Sequence, residues 1–212
     1  AVEDGWSVLD CLNRIRWEQD SSLVFRRSCG SGVCGSCAMS VNGRNVLACT
    51  TRVADLRSGS IVVGPLRKFR IIRDLVVDMD PFLERLRSVD PVLRPATPPR
   101  PDREYRQTPE QRGRLDGLYE CNLCGACTSA CLSSSSDPRY LGPAALLQAG
   151  RFHADSRDGR GLDRLSAVDH PSGIWGCRDT HDCVTACPRG LRPAEVIARL
   201  RRALLRAKLR LR

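Results

Sequence analysis

The sequence predicts an α+β protein in two parts, a small sheet carrying one helix and then an all-helical half. Three observations predict it. Residues 23–63 hold short alternating apolar runs around a two-residue hairpin signal, Asn42-Gly43. Prolines at 91, 95, 98, 99, 101 and 109 then interrupt the chain, a spacing that resists both helix and central strand. Beyond them strand signals nearly vanish and apolar residues recur at helical intervals. The parts are accordingly residues 1–90, an extended linker 91–110, and residues 111–212.

Taken in order, Ser7 is a candidate N-cap before Val8, Leu9, Leu12 and Ile15, whose spacing predicts a short amphipathic helix. Cys11 falls on its apolar side, where a small buried thiol is expected. Leu23-Val24-Phe25 reads as a strand entering the loop Ser28 to Cys37. Met39 and Val41 alternate up to the hairpin turn, Arg44 to Cys49 returns antiparallel, and Ile61 to Val63 is a further strand. In the second part, Gly142 to Ala154 carries Ala144, Leu146, Leu147 and Phe152 at helical spacing. Pro193 to Leu211 does the same with Val196, Ile197, Leu200, Leu204 and Leu205.

Composition narrows the function classes. The 212 residues are 42% hydrophobic and 27% charged, which excludes wholesale disorder. No stretch reaches the roughly 18 consecutive apolar residues of a membrane span. Ala1 to Asp10, with Glu3 and Asp4, does not read as a signal peptide. Twelve cysteines in so long a chain are too sparse for a secreted disulfide scaffold and read as ligands. Aromatic residues make up only 5%, so something other than large rings is expected to fill the centre. The net charge of +10 admits nucleic acid or an anionic membrane as partner. Of the 34 basic residues only Lys68 and Lys208 are lysine, a skew typical of GC-rich bacterial genomes. From Leu191 to Arg212 the only acid is Glu195, against Arg192, Arg199, Arg201, Arg202, Arg206, Lys208, Arg210 and Arg212.

The cysteine spacings carry the chemistry. Cys29, Cys34, Cys37 and Cys49 form C-x4-C-x2-C plus a later fourth, the plant-type 2Fe-2S ferredoxin spacing. Gly30, Gly32 and Gly35 let the loop fold tightly and turn backbone N–H groups toward the sulfurs. A structural zinc site, the alternative, usually shows two matched C-x2-C pairs. The same glycines satisfy G-x-G-x-x-G, but a hairpin strand follows instead of a helix, so a nucleotide site is set aside. Cys121, Cys124, Cys127 and Cys131 form the C-x2-C-x2-C-x3-C run of two-cluster ferredoxins, whose fourth cysteine serves the other cluster. Cys177, Cys183 and Cys187, followed by Pro188, repeat that frame with Thr180 at the missing cysteine. The crossover rule assigns Cys121, Cys124, Cys127 and Cys187 to a 4Fe-4S cluster. It leaves Cys131, Cys177 and Cys183 for a 3Fe-4S cluster. His153, His170 and His181 are expected to pack or face solvent rather than ligate. No activated nucleophile, paired carboxylates or phosphate loop stands out. The chain therefore reads as a one-electron wire joining sites on other subunits.

These motifs, with Phe25-Arg26-Arg27-Ser28-Cys29, Ile72 to Met79, Asp116 to Cys121, Gly142-Pro143-Ala144-Ala145 and Asp155-Ser156-Arg157-Asp158, make the chain resemble the iron–sulfur subunits of succinate dehydrogenase and fumarate reductase. The resemblance implies a β-grasp 2Fe-2S ferredoxin domain, whose first strand is expected to be missing here because the sheet is incomplete or the sequence truncated, and a helical two-cluster domain of the bacterial ferredoxin kind. It implies a partner flavoprotein with covalent FAD and membrane anchor subunits, whose haem b content the sequence leaves open. Electrons then run from FAD through the 2Fe-2S, 4Fe-4S and 3Fe-4S clusters to quinone, and no nucleic-acid partner is expected. The implied location is the cytoplasmic face of a bacterial membrane, with the matrix side of the mitochondrial inner membrane as the alternative. Relatives often place a quinone-binding tryptophan where this chain has Ser133 to Ser136, and a histidine where it has Arg178. Ser136 and Arg178 are the candidate quinone contacts, and a solvated serine loop is the alternative. Leu132 replaces a common proline. A C-terminal helix carrying Arg199, Arg202, Arg206 and Arg210 would be drawn to anionic head groups, or else simply face water.

Overall fold

The computed structural model describes residues 3–56, 59–98 and 101–210. Pro99, the side chain of Arg210, and residues 211–212, on which the linker and C-terminal readings partly rest, lie outside the described residues. Helix α1 (Val8–Glu18) begins in a capping box: Ser7 Oγ accepts from Asp10 N, and the Asp10 carboxylate accepts from Ser7 N at 2.9 Å. Val8, Leu9 and Leu12 bury against the hairpin of β1 (Ala38–Val41) and β2 (Arg44–Leu47). Cys11 is only half-buried, at the edge of that apolar face rather than within it. Asn42 and Gly43 take φ of 48° and 80°, the left-handed pair that a two-residue hairpin needs. Strand β3 (Val63–Gly64) pairs with the other side of β1, so the order is β2-β1-β3, antiparallel throughout.

Three strand expectations are corrected. Leu23–Phe25 forms no strand. Both flanks of β1 are taken, and its backbone bonds go to a turn: Val24 N donates to Asp74 Oδ2 (2.8 Å), and Leu75 N donates to Val24 O. Phe25 still joins the core. Of Ile61–Val63 only Val63 enters a ladder, because the side-chain oxygen of Asn42 captures Val62 N at 2.8 Å. Strand β2 stops at Leu47, so Cys49 lies in the turn beyond it, with Thr51 Oγ1 donating to Leu47 O. Three elements of the first part escaped the sequence reading, a single 3-10 turn (Val53–Asp55), the hairpin β4 (Ile71–Arg73)–β5 (Val76–Val77) and helix α2 (Asp80–Ser88).

Among its described residues the proline-rich segment holds no helix or strand before α3 (Pro109–Gly113), yet it is fastened to the helical half. Arg94 N donates to Asp158 Oδ2 at 3.0 Å, and Gly159 N donates to Arg94 O. Arg164 does more. Its side chain and that of Asp158 are 3% and 1% exposed and pair twofold, at 2.9 and 2.6 Å. The remaining guanidinium donors reach Asp90 O (2.8 Å) and Val92 O (2.6 Å), so one buried cation ties the crossover in place.

The second part is helical, as its periodicity predicts: α4 (Ala126–Ala130), α5 (Leu132–Ser136), α6 (Gly142–Ala154), α7 (Gly161–Val168), α8 (Asp182–Thr185) and α9 (Pro193–Arg210). Helix α6 is buried on every side from Gly142 to Gly150 and is the central post. Helix α9 lays Val196, Ile197, Leu200 and Leu204 against it and its neighbours. A Cβ at Gly150 would stand 2.3 Å from Val196 Cγ1, so the absence of one lets the two helices approach. Helix α2 also packs on α6, with Val89 in the helical core. The last element before the linker thus already sits on the second part.

Candidate metal centres

The loop before β1 is built around its cysteines. Gly30, Gly32 and Gly35 have φ of 69°, 74° and 73°, left-handed conformations open to glycine at little cost. The loop closes so that Gly32 N donates to Cys49 Sγ (3.2 Å), while Ser31 N and Cys34 N donate to Cys29 Sγ (3.4 and 3.3 Å). Cys37 and Cys49 bring their sulfurs within 3.3 Å. Those backbone bonds from Ser31 and Cys34 lower the Cys29 thiol to about 6, and the Ser36 hydroxyl lowers Cys34. Burial, with Cys49 close by, pushes Cys37 up to about 11. Cys29 and Cys34 are therefore exposed and more acidic than an ordinary thiol, whereas the buried Cys37 keeps its proton until something displaces it.

This loop docks on the second constellation. Asn122 Nδ2 donates to Gly32 O (3.2 Å), and Asn45 Nδ2 donates to Ala126 O (2.9 Å). A Cβ at Gly35 would meet Asn122 O at 2.6 Å and Cys124 Cβ at 3.0 Å. Gly35→Ala is therefore expected to prise the loop from residues 122–124, on top of roughly 1 kcal/mol or more of left-handed strain. Visible-region circular dichroism should then show lost occupancy at the first site, with the helical content kept.

Cys121, Cys124, Cys127 and Cys187 line one apolar cavity with Ala144, Leu147, Leu191 and Pro193. Leu191 N donates to Cys187 Sγ at 3.3 Å. Burial raises the thiols of Cys121, Cys124 and Cys127, Cys124 to about 11 and Cys127 well above its ordinary value. Cys131 and Cys177 instead pack against the core around Tyr140. Burial, then the charges of Cys131 and Cys177, push Cys183 up to about 11. The loop carrying Cys177 is clamped from α9. Arg201 donates to Ile174 O (3.0 and 2.9 Å) and Cys177 O (2.6 Å) and pairs with Asp179 (2.6 Å).

The two cysteine runs share a backbone pattern. Leu123 and Gly125 flank Cys124 with φ of 56° and 82°, and Asp179 and His181 flank Thr180 with φ of 53° and 60°. Gly125 then opens α4, as His181 opens α8. Thr180 thus stands in Cys124's structural place, exposed, its hydroxyl donating to Asp182 Oδ2 at 2.7 Å.

Among the described residues no three Cys, His, Asp or Glu side chains close on one point as around a single ion. The thiols line wider nests. Their all-sulfur donor sets, the N–H groups aimed at sulfur and the glycine-lined loop fit iron–sulfur groups. His181 is exposed, and His153 Nδ1 lies 3.1 Å from Gly161 O. Ser136 is exposed and donates to Leu132 O within its own helix (3.1 Å), and Arg178 is exposed. Sequence reasoning missed Tyr140 and Arg201, whose partners are distant in the chain.

Residues 1–84 match the family described as a 2Fe-2S iron-sulfur cluster binding domain, and residues 117–191 match a 4Fe-4S dicluster domain. The chain is 45% identical over 205 residues to a mitochondrial succinate dehydrogenase [ubiquinone] iron-sulfur subunit 1 of Oryza sativa subsp. japonica, covering 96% of this chain and 73% of the relative. It is 45% identical over 202 residues to a succinate dehydrogenase iron-sulfur subunit of Coxiella burnetii, covering 95% and 85%. A chain of the Mycobacterium smegmatis Sdh1 complex in the apo form superposes with a TM-score of 0.88 at 28% identity, over 98% of this chain and 88% of that one.

Proposed function

Because the chain belongs to the iron–sulfur subunits of succinate dehydrogenase, the electron-transfer component of that complex, we propose a ligand assignment for three clusters. Cys29, Cys34, Cys37 and Cys49 hold 2Fe-2S, Cys121, Cys124, Cys127 and Cys187 hold 4Fe-4S, and Cys131, Cys177 and Cys183 hold 3Fe-4S. The observation that carries the assignment is the crossing of the runs: Cys187 shares a cavity with the first three cysteines of the middle run, while Cys131 and Cys177 pack against the same core cluster and both bear on Cys183. When bound, such clusters carry single electrons between a two-electron flavin site and quinone on partner subunits.

The protein's own part is to fix the spacing. Gly35 against Cys124 seats the first nest on the second, and Cys127 and Cys131 leave the two ends of one short helix for different nests. Burial and apolar walls keep water from the inner thiols. A flavoprotein with FAD and membrane anchor subunits, with or without haem b, complete the reading. Among the described residues no helix is long and apolar enough to cross a membrane. Helix α9 exposes Arg199, Arg202 and Arg206 beside Leu205 and Leu209, a surface suited to an anionic membrane or an anchor subunit. This supports a peripheral position on the cytoplasmic face of a bacterial membrane.

Affinity isolation of the chain from detergent-solubilised membranes tests the assembly. A flavoprotein and a membrane subunit should co-purify, and adding succinate should bleach the iron–sulfur absorbance. Recovery of the chain alone, unresponsive to succinate, would overturn the reading.

A further inference from the structure

The nest assigned to three irons contains a buried hydroxyl with no well-formed hydrogen bond to oxygen or nitrogen. Tyr140 is 1% exposed, and its hydroxyl makes no hydrogen bond of full geometry among the described residues, the Cys177 sulfur being the acceptor within its reach. The ring is held firmly. Tyr140 N donates to Asp137 O (3.1 Å), and a Cβ at Gly176, the residue before Cys177, would lie 2.7 Å from Tyr140 Cδ2. Cys131 and Cys177 pack against the same core cluster. The charged groups that bear on the phenol are the thiols of Cys177, Cys131 and Cys183. A buried hydroxyl without a full hydrogen bond is costly. Phenylalanine would fill the same space without that cost, so the oxygen has to find its acceptor in something the nest holds.

We propose that the Tyr140 hydroxyl donates a hydrogen bond to a ligand sulfur of this cluster, that of Cys177 foremost, and thereby raises the cluster's reduction potential. The inference rests on the assignment of Cys131, Cys177 and Cys183 to one 3Fe-4S cluster. The sign follows from charge, since reduction makes the sulfurs more negative and a donor stabilises that state. Tyr140 here tunes the cluster and transfers nothing.

The test is an electron paramagnetic resonance redox titration of the assembled complex with Tyr140→Phe. The oxidised 3Fe-4S signal should persist and its midpoint shift to lower potential, with the other two clusters unmoved. An unchanged midpoint overturns the proposal. Absence of the signal from the wild-type complex would instead overturn the ligand assignment. Should Tyr140→Phe fail to load the cluster, 3-fluorotyrosine placed at position 140 decides. As a stronger donor of the same shape it should shift the midpoint upward, and no shift overturns the proposal.

Discussion

Thr180→Cys is expected to convert the three-iron cluster into a four-iron one. Thr180 sits between two left-handed residues, Asp179 and His181, as Cys124 sits between Leu123 and Gly125. A thiol there repeats on the second run the geometry that the first already offers. The hydroxyl it replaces is committed to Asp182 and supplies no thiolate. Iron per chain should rise from about nine to about ten, and the oxidised 3Fe-4S resonance should vanish. Retention of that resonance in a folded, fully loaded variant would contradict the pairing of Cys131 with Cys177 and Cys183.

Arg164→Met should produce the largest loss of stability outside the ligands. The substitution leaves Asp158 buried without its twofold partner and strips Asp90 O and Val92 O of their donor. Breaking a buried pair from one side costs about 3–5 kcal/mol. The Tm of the loaded chain should fall by several degrees or more. Arg160→Gln, which loses only exposed pairs with Asp90 and Asp163, should cost under about 1 kcal/mol. An Arg164→Met variant no less stable than that control would show the crossover is held by packing alone. Acid should mimic the change. Burial pushes the Asp158 carboxyl up, but hydrogen bonds from Arg164 and the N–H groups of Arg94 and Arg160 outweigh it, and the net shift is downward. A lowered carboxyl contributes its stability above its unfolded value, about 3.9. That contribution disappears as pH falls below about 4, and Arg164→Met should flatten this part of the stability profile.

What could be read in advance follows from how local each signal is. Asn42-Gly43 needs only its own backbone to form a turn, and α6 and α9 repeat their apolar positions over several turns, so all were legible. Strands of two or three residues, such as β3 and β5, carry too short a pattern to separate from loop. Leu23–Phe25 has strand composition yet stays irregular because neighbours occupy both sides of β1. Cysteine spacing announced the nests, since ligand chemistry fixes residue type and interval. The seat of Gly35 on Asn122, the Arg164 latch and the hydroxyl of Tyr140 depend on residues far apart in the chain, and no local pattern reports them.

Metal analysis of the complex isolated without oxygen, read beside its low-temperature paramagnetic resonance, bears most directly on the central claim that eleven thiols bind three iron–sulfur clusters. The expected result is about nine irons per chain, no stoichiometric zinc, and three distinguishable signals titrating separately. A properly folded chain that is colourless and free of iron, or that carries zinc in the nests of Cys121 and Cys177, would contradict it.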